Sequence, residues 1–243
     1  MENKEGTRIP EMTFRSRRNG DWNNIQSKDF FAGRRVVLFA LPGAFTPTCS
    51  SSHLPRYDEL APVFKKSGVD EVACLSVNDG FTMEAWGETQ GLENVTLLPD
   101  GNGEFSAGLG FLVDKSELGF GKRSWRYSML VDDGVIEKMF IEEEKPGDPF
   151  EVSDADTMLN HLNASAQLPP EVTLFTKPGC EFCLKSKELL TQRGLAFETI
   201  ELSKGISYKS LRNITGQSTA PQIYIDGTRI GGFEELKQHL AAL

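Results

Sequence analysis

Twice along this chain an apolar, β-branched run passes through a proline- and glycine-bearing turn that carries cysteine, and then enters a helical pattern. The first run, Val36-Val37-Leu38-Phe39-Ala40, leads into Pro42-Gly43-Ala44-Phe45-Thr46-Pro47-Thr48-Cys49. The second, Val172-Thr173-Leu174-Phe175-Thr176, leads into Lys177-Pro178-Gly179-Cys180-Glu181-Phe182-Cys183. Apolar runs alternating with helical patterns are the mark of βαβ units, so the chain is expected to be α/β throughout.

In the first half, strands are expected over residues 36–40, 71–77, 95–98, 127–131 and 135–141, the last two joined by the hairpin signal Asp133-Gly134. Helices are expected over 51–66, interrupted or kinked around Pro55 and Pro62, over 83–90, and over 153–162 with Ser153 as N-cap. The stretch 163–170, Asn163-Ala-Ser-Ala-Gln-Leu-Pro169-Pro170, is small, polar and proline-ended, and reads as a linker. Beyond it a smaller pattern follows: strand 172–176, helix 180–192 ended by Gly194, strand 196–202, helix 207–215, a hairpin 222–225 and 228–230 across Asp226-Gly227, and an amphipathic helix 233–243. The expected domains are therefore 1–162 and 171–243, without internal sequence repeat.

Charge is unevenly spread. Residues 1–166 hold 17 Lys and Arg against 27 Asp and Glu, whereas residues 171–243 hold 9 against 8. So acidic a chain is a poor partner for nucleic acid, whose affinity rests on neutralised phosphates. No apolar run approaches the roughly 18 residues of a membrane helix, and the charged start carries no secretory signal. Four cysteines are too few for a disulfide scaffold, which points to a reducing, cytoplasmic setting in which thiols react.

Cys49 falls where strand hands over to helix, and a thiol there feels the positive end of the helix dipole, which favours thiolate. Thr46 is placed to bring a hydroxyl beside the sulfur, and Pro42 to fix the turn and exclude water. A cation to hold the thiolate has to come from elsewhere. Pro42-x-x-x-Thr46-x-x-Cys49 resembles the active-site motif of peroxiredoxins. Residues 10–162 are similar to the type II (peroxiredoxin-5) subfamily, through that motif, Ala73-Cys74-Leu-Ser-Val-Asn-Asp79, and Arg126-Tyr-Ser-Met129 before Asp133-Gly134. The resemblance implies a thioredoxin-like fold, a peroxide-reactive Cys49, and Arg126 as the missing cation. Cys74, inside an apolar strand, reads as a buried structural thiol. Residues 145–151 carry no resolving cysteine, so sulfenic acid on Cys49 needs an outside thiol to avoid over-oxidation.

Cys180 is expected to be the nucleophile of the second site, aided by the helix N-terminus and Lys177 and opposed by Glu181, with the less exposed Cys183 resolving. No second C-x-x-C or close histidine pair completes a zinc site, and His53, His161 and His239 read as surface or helix-packing residues. Gly119-Phe-Gly121-Lys122 fits neither a dinucleotide nor a P-loop pattern. Lys177-Pro-Gly-Cys180-Glu-Phe-Cys183, Thr219-Ala220-Pro221 and Gly231-Gly232-Phe233-Glu234 together resemble glutaredoxin. The resemblance implies a cis Pro221 facing the cysteines and glutathione held by Lys177, Thr219, Ala220, Gly232, Phe233 and Glu234. The chain departs from the commonest pattern in having Glu-Phe between the cysteines and glutamate at 234.

Together the halves resemble the hybrid peroxiredoxin–glutaredoxin proteins. That implies two thioredoxin-fold domains and a glutathione-dependent thiol peroxidase with hydrogen peroxide or alkyl hydroperoxides as substrates. Glutathione would serve as co-substrate, with no bound cofactor or metal, and an external NADPH-dependent glutathione reductase would supply electrons. The short linker, roughly 30 Å when extended, favours a homo-oligomer, dimer or tetramer, in which thiol transfer runs between subunits. Two other readings use the same thiols: a deglutathionylating oxidoreductase and a redox sensor signalling through Cys49.

Overall fold

A computed structural model describes residues 1–145, 147–203 and 205–242. The chain opens with a hairpin, β1 (Thr13–Arg18) and β2 (Asp21–Gln26). Its turn residues Asn19 and Gly20 have φ of 54° and 85°, the left-handed pair that a tight hairpin demands and that asparagine and glycine tolerate. A short α1 (Ser27–Phe31) leads to β3 (Arg35–Leu41), followed by one turn of π-helix (Cys49–His53) and α2 (Leu54–Lys66). Then come β4 (Glu71–Ser76), α3 (Gly80–Gln90), β5 (Val95–Pro99), α4 (Glu104–Leu109), β6 (Leu112–Asp114), β7 (Lys122–Ser124), β8 (Tyr127–Asp132), β9 (Val135–Ile141) and α5 (Ala155–Leu162).

Five strands make one sheet in the order β5-β4-β3-β8-β9, with β3, β4 and β5 parallel and β8 antiparallel to both its neighbours. β3 lies at the centre and is covered on both faces, which is why it reads as an unbroken apolar run. Its side chains alternate: Val37, Phe39 and Leu41 enter a core with Tyr57, Phe64, Trp86 and Met158. Val36, Leu38 and Ala40 enter the opposite core, with Phe14, Phe31, Phe105, Phe111 and Tyr127.

The expected helix over 51–66 is present, and its irregularity lies at the Pro55 end alone. The chain is continuous through Pro62, which faces solvent. The carbonyl that Pro62 leaves without a helical donor, that of Asp58, accepts the Asn94 side-chain amide at 3.4 Å. The wide turn lies at Cys49–His53, where Leu54 N–H reaches back to the Cys49 carbonyl, just before Pro55, which has no N–H to give. The cap of α5 also differs: Asp154, not Ser153, accepts from Thr157 N–H at 2.9 Å. Ser153 is drawn away because its hydroxyl and N–H both bond Glu142. No local pattern announces α1, α4 or the β6–β7 pair, whereas Asn19-Gly20 is a recognised signal for the β1–β2 hairpin.

The second unit contains β10 (Val172–Thr176), α6 (Glu181–Gln192), β11 (Glu198–Glu201), α7 (Tyr208–Thr215), β12 (Gln222–Ile225), β13 (Thr228–Gly231) and α8 (Phe233–Ala241). Its sheet runs β11-β10-β12-β13, with β10 parallel to β11 and antiparallel to β12. Val172, Leu174, Leu190, Ile223, Leu236 and Leu240 form the main core. By contacts the chain divides into Met1–Gln167 and Leu168–Leu243, a boundary inside the 163–170 stretch, with Ala166 packed on the first unit's core.

Candidate active sites

The turn after β3 is pinned before it reaches the cysteine. Ala44 N–H and the Ser76 hydroxyl both donate to Asn78 Oδ1, at 3.0 and 2.7 Å, tying the turn to the end of β4. Ser50 N–H donates to the Thr46 carbonyl at 3.0 Å, so Cys49 occupies the first helical turn. Its side chain is fully buried, and Pro42 is buried too. The Thr46 hydroxyl donates to the Gly43 carbonyl at 2.8 Å and thereby braces the turn.

Register delivers the cation. Tyr127 pairs with Ala40, so Arg126, the residue before β8, arrives level with the turn that follows β3. Arg126 is 1% exposed. Its Nη2 lies 3.6 Å from Cys49 Sγ and 2.5 Å from each carboxylate oxygen of Asp148, and its Nη1 is 2.9 Å from His53 Nδ1. A guanidinium only donates, so His53 Nδ1 accepts and Nε2 carries the proton, which it gives to the Ser153 carbonyl at 3.1 Å. Burial above all, and then the charge of Arg126, push the His53 pKa well below its ordinary value. The ring therefore stays neutral and acts as a fixed acceptor that aims the guanidinium. This corrects the expectation for His53: it is completely buried and belongs to the site.

A second unforeseen residue organises the outer wall. Glu142, 2% exposed, accepts through one oxygen from the N–H groups of Glu151, Val152 and Ser153 and from the Ser153 hydroxyl, all within 2.7–2.9 Å. Ser153 in turn offers its carbonyl to His53 and to the Tyr57 hydroxyl. No local pattern separates Glu142 from Glu143 and Glu144, which stay exposed. Cys74, on β4, is fully buried; burial, and then the neighbouring Cys49, push its thiol well up in pKa, so it stays protonated.

In the second unit Cys180 caps α6, its Sγ accepting Cys183 N–H at 3.1 Å, and the two cysteines are joined as a disulfide. Cys183 is buried and Cys180 partly exposed, the asymmetry expected of an attacking and a resolving thiol. The Ala220–Pro221 peptide is cis, and the Ala220 carbonyl oxygen lies 3.7 Å from Cys180 Sγ. An open cleft runs beside the pair, lined by Thr176, Lys177, Cys180, Cys183, Lys187 and Glu201 among others. Lys177 lines this cleft; so does Lys187, one helical turn beyond Cys183, which was not foreseen, and i, i+4 spacing was the signal available. Of the other expected ligand residues, Gly232 lies near the Pro221 carbonyl and Phe233 packs its ring on Phe182. Thr219 and Glu234 are exposed, and Glu234 pairs with Lys237. The Glu181 carboxylate, expected to oppose a Cys180 thiolate, is engaged by Lys185 at 2.5 Å.

Among the described residues no cluster of three or more His, Cys, Asp or Glu side chains could hold a metal ion. Among the same residues no helix is long and apolar enough to cross a membrane.

Comparison with known proteins matches the redoxin family over residues 4–159 and the glutaredoxin family over residues 172–230. The chain is 54% identical to the hybrid peroxiredoxin hyPrx5 of Haemophilus influenzae over 241 residues, covering 99% of this chain and all of that one. It is also 54% identical to a peroxiredoxin of Synechocystis, over 65% of this chain and 90% of the relative. The crystal structure of reduced Prx3 from Vibrio vulnificus in complex with hydrogen peroxide superposes with a TM-score of 0.61 at 44% identity, covering 65% of this chain and 98% of that one. Two thioredoxin-fold units, each with its cysteine at a strand-to-helix turn, and an alignment that spans both make this chain a member of the redoxin family, a peroxiredoxin with a glutaredoxin domain fused behind it.

Proposed function

We propose that the chain is a glutathione-dependent thiol peroxidase in which Cys49 reduces hydroperoxides and the fused domain recycles it through Cys180. The observation that carries the reading is the buried contact of Arg126 Nη2 with Cys49 Sγ. A fixed cation beside the sulfur favours thiolate and stays in reach of charge on the departing oxygen. The Cys49 thiolate attacks the distal peroxide oxygen and the O–O bond breaks. The sulfur becomes sulfenic acid, and the alkoxide or hydroxide takes a proton to leave as alcohol or water. Glutathione condenses with the sulfenic acid, releasing water and leaving a mixed disulfide on Cys49. Cys180 thiolate attacks the glutathione sulfur, freeing Cys49. A second glutathione then takes that sulfur as glutathione disulfide, or Cys183 expels it and closes the Cys180–Cys183 bridge.

The cleft supports a small anionic thiol as co-substrate: Lys177 and Lys187 line it beside the cysteines, and among the described residues neither is engaged by a carboxylate. Lys177, Ala220, Pro221, Gly232 and Phe233 are the residues assigned to holding glutathione, with Thr219 and Glu234 at its exposed margin. Electrons come from NADPH through an external glutathione reductase.

In a coupled assay with hydroperoxide, glutathione and glutathione reductase, the wild-type chain consumes NADPH and Cys180→Ser loses most of that rate. Equal rates would mean that free glutathione recycles Cys49 unaided. Transfer within a homo-oligomer is tested by mixing Cys49→Ser chains with Cys180→Ser chains: activity returns if the relay crosses subunits, and stays absent if it does not.

A further inference from the structure

One guanidinium nitrogen serves two partners. Arg126 Nη2 faces Cys49 Sγ at 3.6 Å and both oxygens of Asp148 at 2.5 Å, while Nη1 is taken by His53 and, among the described residues, the buried Nε has no hydrogen-bond partner. A carboxylate meeting arginine ordinarily spreads its two oxygens over two nitrogens. Here both converge on the one nitrogen that also faces the sulfur. The placement of Asp148 is built, although its side chain is 41% exposed. It is followed by Pro149 and then by Phe150, whose ring packs on His53 at 4.7 Å and lies 5.4 Å from the Arg126 guanidinium. The chain just beyond is fastened by Glu142 at residues 151–153.

We propose that Asp148 is a counter-charge on Arg126, a positioning residue that draws part of the cation away from Cys49 and so restrains the reactivity of the thiol. The proposal rests on reading Cys49 as the peroxide-reacting residue. Two further titratable groups lie around Arg126 and Cys49. His53, from its own helix, is neutral, and Cys74, from β4, is protonated, each held so chiefly by burial. Arg126 and Asp148 are the paired charges of this site. A Cys49 thiolate and the Asp148 carboxylate compete for the same N–H, so removing one anion strengthens the hold on the other. Such a brake suits a site with no resolving cysteine in residues 145–151, because a thiolate that reacts too readily is carried on to sulfinic acid.

The test is alkylation of the full-length chain by iodoacetamide across pH, read on the Cys49 peptide by mass spectrometry. The midpoint reports charge and the high-pH plateau reports access. Asp148→Asn is expected to move the midpoint to lower pH, raising the Cys49 rate about threefold or more below the wild-type midpoint. Asp148→Ser moves it the same way, and Asp148→Glu restores the wild-type midpoint. An unchanged midpoint in the Asn and Ser variants would overturn the proposal, and a raised one would show that Asp148 only aims Arg126 at the sulfur. Peroxide consumption by Cys49→Ser is measured alongside. If that variant still consumes peroxide, the reading of Cys49 fails, whatever the midpoints show.

Discussion

Replacing Arg126 by methionine is expected to lower kcat/KM for hydroperoxide by about 10²–10³, the usual cost of deleting one prearranged donor from a buried charged site. Methionine keeps much of the apolar stem, so the core around Phe39, His53 and Phe150 retains its filling. What is lost is the N–H that faces Cys49 Sγ and the donor that His53 Nδ1 accepts. Asp148, being half-exposed, returns to water at little cost, so stability falls less than activity. Arg126→Lys recovers only part of the rate, since one ammonium cannot span His53, Asp148 and the sulfur as the planar fork does. Stopped-flow measurement of peroxide reduction, with circular dichroism to confirm the fold, decides the matter. A loss below tenfold would remove Arg126 from the chemistry.

Glu142→Ala is expected to destabilise the first unit by about 3 kcal/mol, and to lower activity with it. The substitution strips the acceptor from three N–H groups and the Ser153 hydroxyl at once. Glu151 and Val152 are exposed and turn to water, but Ser153 is fully buried and cannot. The damage then spreads, because the Ser153 carbonyl holds His53 and His53 holds Arg126. Burial, the largest influence on the Glu142 carboxyl, raises its pKa, but the hydrogen bonds from Val152 and Ser153 outweigh it and the net shift is downward. A carboxylate held below its unfolded value contributes stability that is complete above the ordinary value of 4.5 and is lost as the pH falls through the folded-state value. Denaturant titration from pH 7 downward should therefore show the wild type and Glu142→Ala converging in acid. Parallel curves would assign the loss to packing alone.

Glu142 also marks where reading the chain stops short. It stands in a run of three glutamates, and only the approach of residues 151–153 singles it out. His53 is the same kind of case: its partners Arg126 and Ser153 lie 73 and 100 residues away, and no local pattern announces a buried neutral imidazole. Thr46 shows the converse. Its place in the motif was legible, but the direction of its hydroxyl was settled by the Gly43 carbonyl. Lys187 could have been found from its spacing to Cys183, and the β1–β2 hairpin from Asn19-Gly20.

The sequence by itself determined the α/β alternation, the two strand-to-helix turns that carry Cys49 and the Cys180–Cys183 pair, and the hairpins at Asp133-Gly134 and Asp226-Gly227. These follow from side-chain periodicity and backbone preference, which act over a few residues and do not need the rest of the chain. Tertiary structure alone decided the protonation of His53, the choice of Asp154 over Ser153 as a cap, the role of Glu142, and the sharing of Arg126 between Cys49 and Asp148. Those depend on which groups burial brings together and leaves without water, and a buried charge or hydrogen bond acquires its value only when its partner arrives.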